Sequence, residues 1–144
     1  MELQLTVNGV SGTVRLWPAD APRTVAALIA SLPFESQLKQ CRWSGDACFT
    51  VLANEPVSEI GEIEAPAVTI YPGTLVIRSA EPASPQAELL IGYGSAEHRW
   101  PDGPKPVTPV GEITAGRGPL FAQLRAVAGA GLASMTLRVA EGRV

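Results

Sequence analysis

Apolar residues alternate with polar ones through most of this chain, but glycine or proline repeatedly cuts the alternation short: there are 14 glycines and 13 prolines in 144 residues. Such punctuation limits regular elements to short lengths and favours strands joined by tight turns over long helices. A chain of this length is also long enough to bury one sizeable core without disulfide or metal staples, so a single domain spanning residues 1–144 is expected.

The pattern can be followed along the chain. Leu3, Leu5 and Val7 alternate on one face, Asn8-Gly9 supplies a turn, and Val14 and Leu16 alternate after it, which predicts an opening β-hairpin. Asp20 is placed to cap a helix that tolerates Pro22 in its first turn. Val25, Leu28, Ile29 and Leu32 then follow at helical spacing until Pro33. Residues 37–52 read as a second hairpin about Ser44-Gly45. A two-residue loop there would set Arg42 opposite Ala47 and Cys41 opposite Cys48. Residues 53–67 read as an acidic loop carrying Glu55, Glu59, Glu62 and Glu64. Strands are expected over 68–71, 74–79 and 88–93. The prolines at 101, 104, 106 and 109 make 95–109 an extended loop, and a short strand is expected at 110–114. Gly118-Pro119 opens a second helix with Leu120, Leu124 and Val127 on one side, and residues 134–139 form the closing strand. Many short strands and two helices predict a mostly β chain, a closed or nearly closed barrel with the helices capping its ends.

Composition narrows the function. Formal net charge is −3, with 17% charged residues against 46% hydrophobic ones. No run of Lys or Arg appears, so nucleic acid is not an expected partner. No apolar stretch approaches the ~18 residues of a bilayer span, and the acid near the N-terminus is unlike a signal peptide. The expectation is a cytoplasmic protein without a membrane partner. Low charge leaves a homo-oligomer interface open.

The order of elements resembles that of the cyclophilins, and more specifically a group of small, uncharacterised bacterial and archaeal proteins with a cyclophilin-like barrel. Ala21-Pro22-Arg23-Thr24-Val25 after the first hairpin carries the likeness at the front, and residues 103–118 with the helix and strand that follow carry it at the back. Leu32-Pro33-Phe34-Glu35-Ser36, Arg42-Trp43-Ser44-Gly45 and Tyr71-Pro72-Gly73 resemble the smaller group in particular. For that group the resemblance implies a fold and no established activity. Cyclophilins themselves are prolyl isomerases that use an arginine, and Arg42 is the position here that resembles it. The aromatic, Met, Gln and Gly-Gly pattern that follows that arginine is replaced by Trp43-Ser44-Gly45-Asp46.

The residues themselves point to a binding module for a small polar ligand or peptide segment. Arg42 would be its anchor, because a guanidinium presents several donors in a fixed fork. Trp43, Phe49 and Tyr93 would be walls, and Glu35 is a further candidate ligand-binding residue. Against this stands a plain surface arginine paired with Glu35 or Asp46, or lying over Trp43. The alternative is an enzyme, either a weak prolyl isomerase or a hydrolase-like partner subunit acting on cyclic amides. His98, the single histidine, sits in a Pro-rich segment where exposure is the usual state. Cys41 and Cys48 are expected to be buried, inert thiols. Neither a metal site nor a cofactor is expected, and no phosphate loop, nucleophile elbow or dinucleotide fingerprint is present.

Overall fold

The computed structural model of the chain describes residues 1–141. Its elements run β1 (Glu2–Val7), β2 (Val10–Leu16), α1 (Pro22–Ala30), β3 (Phe34–Gln40), β4 (Gly45–Val51), a 3₁₀ turn (Val57–Glu59), β5 (Thr69–Ile70), β6 (Thr74–Arg78), β7 (Glu88–Glu97), β8 (Arg99–Trp100), β9 (Gly103–Pro104), β10 (Thr108–Ala115), α2 (Arg117–Ala130) and β11 (Ala133–Val139). The strand order β4-β3-β11-β1-β2-β10-β6-β7 closes on itself because β4 also pairs with β7. The result is an eight-stranded antiparallel barrel, with β5 added beside β7. Closure leaves no barrel strand with a free row of backbone donors.

Alternation sets what faces inward. Leu3, Leu5, Val7, Val14, Leu38, Cys48, Leu75, Ile77, Leu89, Ile91, Ile113, Met135 and Leu137 share one buried cluster inside the barrel. The helices close opposite ends. α1 packs against β10 and the 3₁₀ turn with Val25 and Leu28 buried, whereas α2 follows directly from the far end of β10 and lies against β1, β2, β3, β4, β7 and β11. Asn8 and Gly9 both take positive φ, the conformation that a two-residue hairpin loop requires.

The start of α1 differs from expectation. Asp20 does not cap it; Ala21 is the N-cap and makes no side-chain cap hydrogen bond. Glu64, forty residues later, does this work. Its carboxylate accepts from Thr24 N and Thr24 Oγ1, both at 2.7 Å, and from Arg23 N at 3.3 Å, while Glu62 pairs with Arg23. The acidic loop is therefore a strap that satisfies orphan helix donors and places negative charge at the positive end of α1.

The Pro-rich segment is also more regular than its composition predicts. β7 continues to Glu97, β8 and β9 form a small hairpin, and Pro109 pairs with Val76 inside β10, next to a register shift at Gly111. A bulge is where a strand tolerates a missing donor.

A second apolar cluster lies outside the barrel wall. Ala47, Ile70, Val76, Leu90 and Val107 are buried there, with Cys41, Phe49 and Ala96 packed against them. β4, β6 and β7 thus bury both faces. Truncating the inner face, Leu75→Ala, is expected to lower the unfolding free energy by about 2–5 kcal/mol in urea denaturation, the usual range for a buried Leu-to-Ala cavity.

Candidate functional site

Two segments rise from the ends of β3 and β7 and face each other over that outer cluster. The first is Cys41-Arg42-Trp43-Ser44. The second is His98 with the β8–β9 hairpin, which contributes Arg99 and Trp100. Between them lies a groove of about 480 Å³, lined by Lys39, Arg42, Trp43, Phe49, Arg78, Glu88, Leu90, His98, Arg99 and Trp100 among others. That volume suits a small ligand.

Ser44 joins the two arms. It is buried, its carbonyl accepts from Glu97 N at 2.9 Å, and its Oγ accepts from Arg99 N at 3.1 Å. Gly45 turns the chain from this arm into β4 at φ +87°, and a Cβ there would press on Ser95 O. Only glycine takes both the turn and the close approach without strain.

Three arginines line the groove in different states. Arg78 is 3% exposed, and all five of its donors are used: Nε on Glu88 at 3.1 Å, Nη1 on the carbonyls of Ser79 and Ser84, Nη2 on Ser84 Oγ and the Gln86 carbonyl. It has nothing left to offer a ligand. Arg99 makes one exposed pair with Glu97 at 3.0 Å. Arg42 is exposed and forms no ion pair or side-chain hydrogen bond among the described residues. The paired surface arginine that the sequence also allowed, with Glu35 or Asp46, is not what forms.

Charge and aromatic surface coincide here. Lys39, Arg42, Arg78 and Arg99 line the groove together with the acid Glu88, and Glu97 pairs with Arg99 beside it, so cations outnumber acids here in a chain of net charge −3. Trp43 is 51% exposed, and Lys105 Nζ stands 3.6 Å from the centre of the Trp100 ring, a cation–π contact that steadies this indole.

Several sequence expectations fall elsewhere. Arg42, Trp43 and Phe49 share the groove. Tyr93 does not reach it: it points into the barrel, where its hydroxyl donates to Gln40 Oε1 at 2.6 Å. Its neighbouring glycines admit protein rather than ligand, since side chains at Gly92 and Gly94 would collide with Tyr71 and Ile70 and with Asp46. Glu35 lies exposed on β3, opposite Thr136 of β11.

The hairpin register is one residue from that expected. Gln40 faces Cys48 and Cys41 N donates to Ala47 O, so the loop is longer than two residues and Arg42 does not oppose Ala47. A slip of one sends the thiols to opposite faces, Cys48 inward and Cys41 outward. Burial pushes both thiols up to about 12, for Cys41 with added repulsion from Cys48 and Glu88. His98, expected to be exposed, is buried at 3% and its Nδ1 lies 2.8 Å from Lys105 O. Among the described residues no three His, Cys, Asp or Glu side chains gather as a metal site would require, and no helix is long and apolar enough to cross a membrane.

Lys39, Arg78, Glu88, Leu90 and Arg99 are groove residues that sequence reading did not assign to a site. A signal was available: the dipeptide Arg-Trp occurs at 42–43 and again at 99–100, each just beyond a strand that pairs with β4.

Residues 3–139 match a family described as protein of unknown function (DUF3830), and the chain belongs to that family. No curated protein matches it. Among solved structures it is similar to McbB, determined in complex with tryptophan, with TM-score 0.71 and 19% identity over 99% of this chain but 46% of that one. It is also similar to the hypothetical protein AF2241 from Archaeoglobus fulgidus, with TM-score 0.62 and 20% identity over 97% and 95% of the two chains. At these identities the likeness is one of fold.

Two outcomes follow from the site's construction. Ser44→Ala leaves Arg99 N without its partner, so hydrogen exchange should quicken in residues 41–44 and 97–100 while the barrel strands stay protected, with a stability loss of about 1–3 kcal/mol. A thiol-specific reagent at pH 8 should leave both cysteines of the folded protein unmodified and label both in denaturant.

Proposed function

We propose that this member of the DUF3830 family is a binding module, one barrel domain whose groove takes a small ligand combining an anionic group with a planar, apolar body. The observation that carries the reading is Arg42, exposed and unpaired among the described residues, beside Trp43 on a groove that gathers four cations in an acidic chain. The anion lies on Arg42 with Arg99 and Lys39 close by, and the planar part lies against Trp43 and Trp100 above the floor of Phe49 and Leu90. A cleft lined by one sign of charge raises the local concentration of oppositely charged ligands. Assignment to a cyclophilin-like superfamily and a cytoplasmic location are consistent with this reading and form part of the proposal.

The McbB structure holds tryptophan, which has both features, a carboxylate and an indole. Tryptophan is therefore the first probe, with indole as the partner lacking charge. By calorimetry tryptophan should bind at least about 10-fold more tightly than indole. Arg42→Gln should weaken tryptophan by about 10- to 100-fold, the loss expected for a charged hydrogen bond of about 1.5–3 kcal/mol, and rising salt should weaken it further. Equal affinity for the two probes, or a variant that binds as the parent does, would sink the reading.

Prolyl isomerisation is the second reading, favoured by the apolar floor of Phe49 and Leu90 beside Arg42. Accelerated isomerisation of a proline peptide that disappears in the same Arg42→Gln variant would support it.

A further inference from the structure

His98 is the one groove residue whose protonation state can be derived from its contacts. The Lys105 carbonyl, 2.8 Å from Nδ1, has no proton to give, so the bond forms only when Nδ1 carries the hydrogen. The neutral ring is then the Nδ1–H tautomer, and Nε2 keeps its lone pair. Backbone bonds lock the residue in place. His98 N donates to Val68 O at 2.7 Å and His98 O accepts from Lys105 N at 3.0 Å.

Nε2 itself has no hydrogen-bond partner among the described residues. Nor is any buried side-chain nitrogen or oxygen among them sealed off without a partner. A ring that is 3% exposed must therefore spend its small accessible area partly on Nε2, and the space that His98 lines is the groove.

We propose that His98 Nε2 is a hydrogen-bond acceptor built into the groove, selecting ligands that present an N–H or O–H to it while their anionic group lies on Arg42 and Arg99. The inference deepens the binding reading and rests on it. It changes the expected ligand from any planar anion to one carrying a donor as well. Arg42, Arg78, Arg99 and Lys39 cannot supply this selection, since they only donate.

The charge state agrees with the geometry. Burial holds the imidazole below its ordinary value and outweighs the Lys105 carbonyl, which acts the other way. Arg78 of β6 adds to the lowering, while Glu88 of β7 and Glu81 of the 79–87 loop oppose it. Arg42 on the first arm and Arg99 on β8 add cations to the same groove. His98 is thus neutral near pH 7, where Nε2 accepts; below its lowered midpoint Nε2 gains a proton and becomes a donor. A donor-bearing anion then loses its acceptor, whereas a donor-free anion gains a cation to bind.

The test uses a matched pair, indole-3-acetate and benzofuran-3-acetate, which differ in the ring N–H. Nitrogen-15 spectra of the single imidazole should show Nδ1 protonated and Nε2 bare at pH 7.5, with Nε2 shifting as indole-3-acetate is added. Calorimetry should give a preference of roughly 3- to 10-fold for the indole, the range for one neutral hydrogen bond. The preference should vanish in His98→Phe, whose folding is checked by the aromatic circular dichroism of the parent. An Nε2–H tautomer, or a bound indole that leaves Nε2 unmoved and is not preferred, overturns this inference while the groove reading stands. If neither acid binds, the groove reading fails and takes this inference with it.

Discussion

Closing the barrel between β4 and β7 gives these strands a second buried face, and the arrangement of everything near the groove depends on how that face is covered. Leu90 and Val76 point away from the interior, yet both are buried, under β5, Val107 and the segments at 41 and 96. Apolar surface of this kind must be removed from water by something. Here the cover is partial. The arms at 41–44 and 98–105 reach over Phe49 and Leu90 and meet at Ser44, and the groove is the gap left beside that junction. The site is thus a by-product of burial: its floor is the hydrophobic face that closed the barrel, and its walls are the chain that was recruited to shelter it.

What the sequence made legible was whatever local chemistry decides. Asn8-Gly9 places both residues at positive φ and so specifies its hairpin unaided. The inward rows Leu3, Leu5, Val7 and Met135, Leu137 were readable from alternation alone, as were the two helices from their spacing. Ser44-Gly45 was misleading for a physical reason. Gly45 does take positive φ, but it does so as the first residue of β4, after a longer arm, and a one-residue error in register exchanges the faces of Cys41 and Cys48. Glu64 on α1 and Ser44 on Arg99 are contacts across 40 and 55 residues. No local pattern encodes them.

His98 and the prolines teach a related lesson. Proline lacks a donor, so four of them in nine residues read as a loop; yet a two-residue ladder such as β8–β9 needs few donors, and Pro109 sits beside a bulge that needs none from it. Once that segment is ordered against β7 and the 41–44 arm, the histidine within it is carried under cover, and its ring finds a backbone carbonyl instead of water. Exposure was the wrong expectation because it was inferred from composition, whereas burial was set by tertiary pairing.

The three groove arginines show why position in a groove is insufficient to name a ligand contact. Arg78 is the most deeply placed, and a count of charges alone would choose it. Its five donors are already matched by one carboxylate, three carbonyls and one hydroxyl, so a ligand would have to displace a bond to gain one. It holds the 79–87 loop and fixes Glu88. Arg42 stands at the other extreme, exposed and with a guanidinium that makes no ion pair or side-chain hydrogen bond among the described residues. Exchange of water for an anion costs it no protein contact, and the exposed indole of Trp43 next to it offers a surface for whatever apolar group the anion carries. Saturation, more than burial or charge, separates the arginine that builds this groove from the one available to use it.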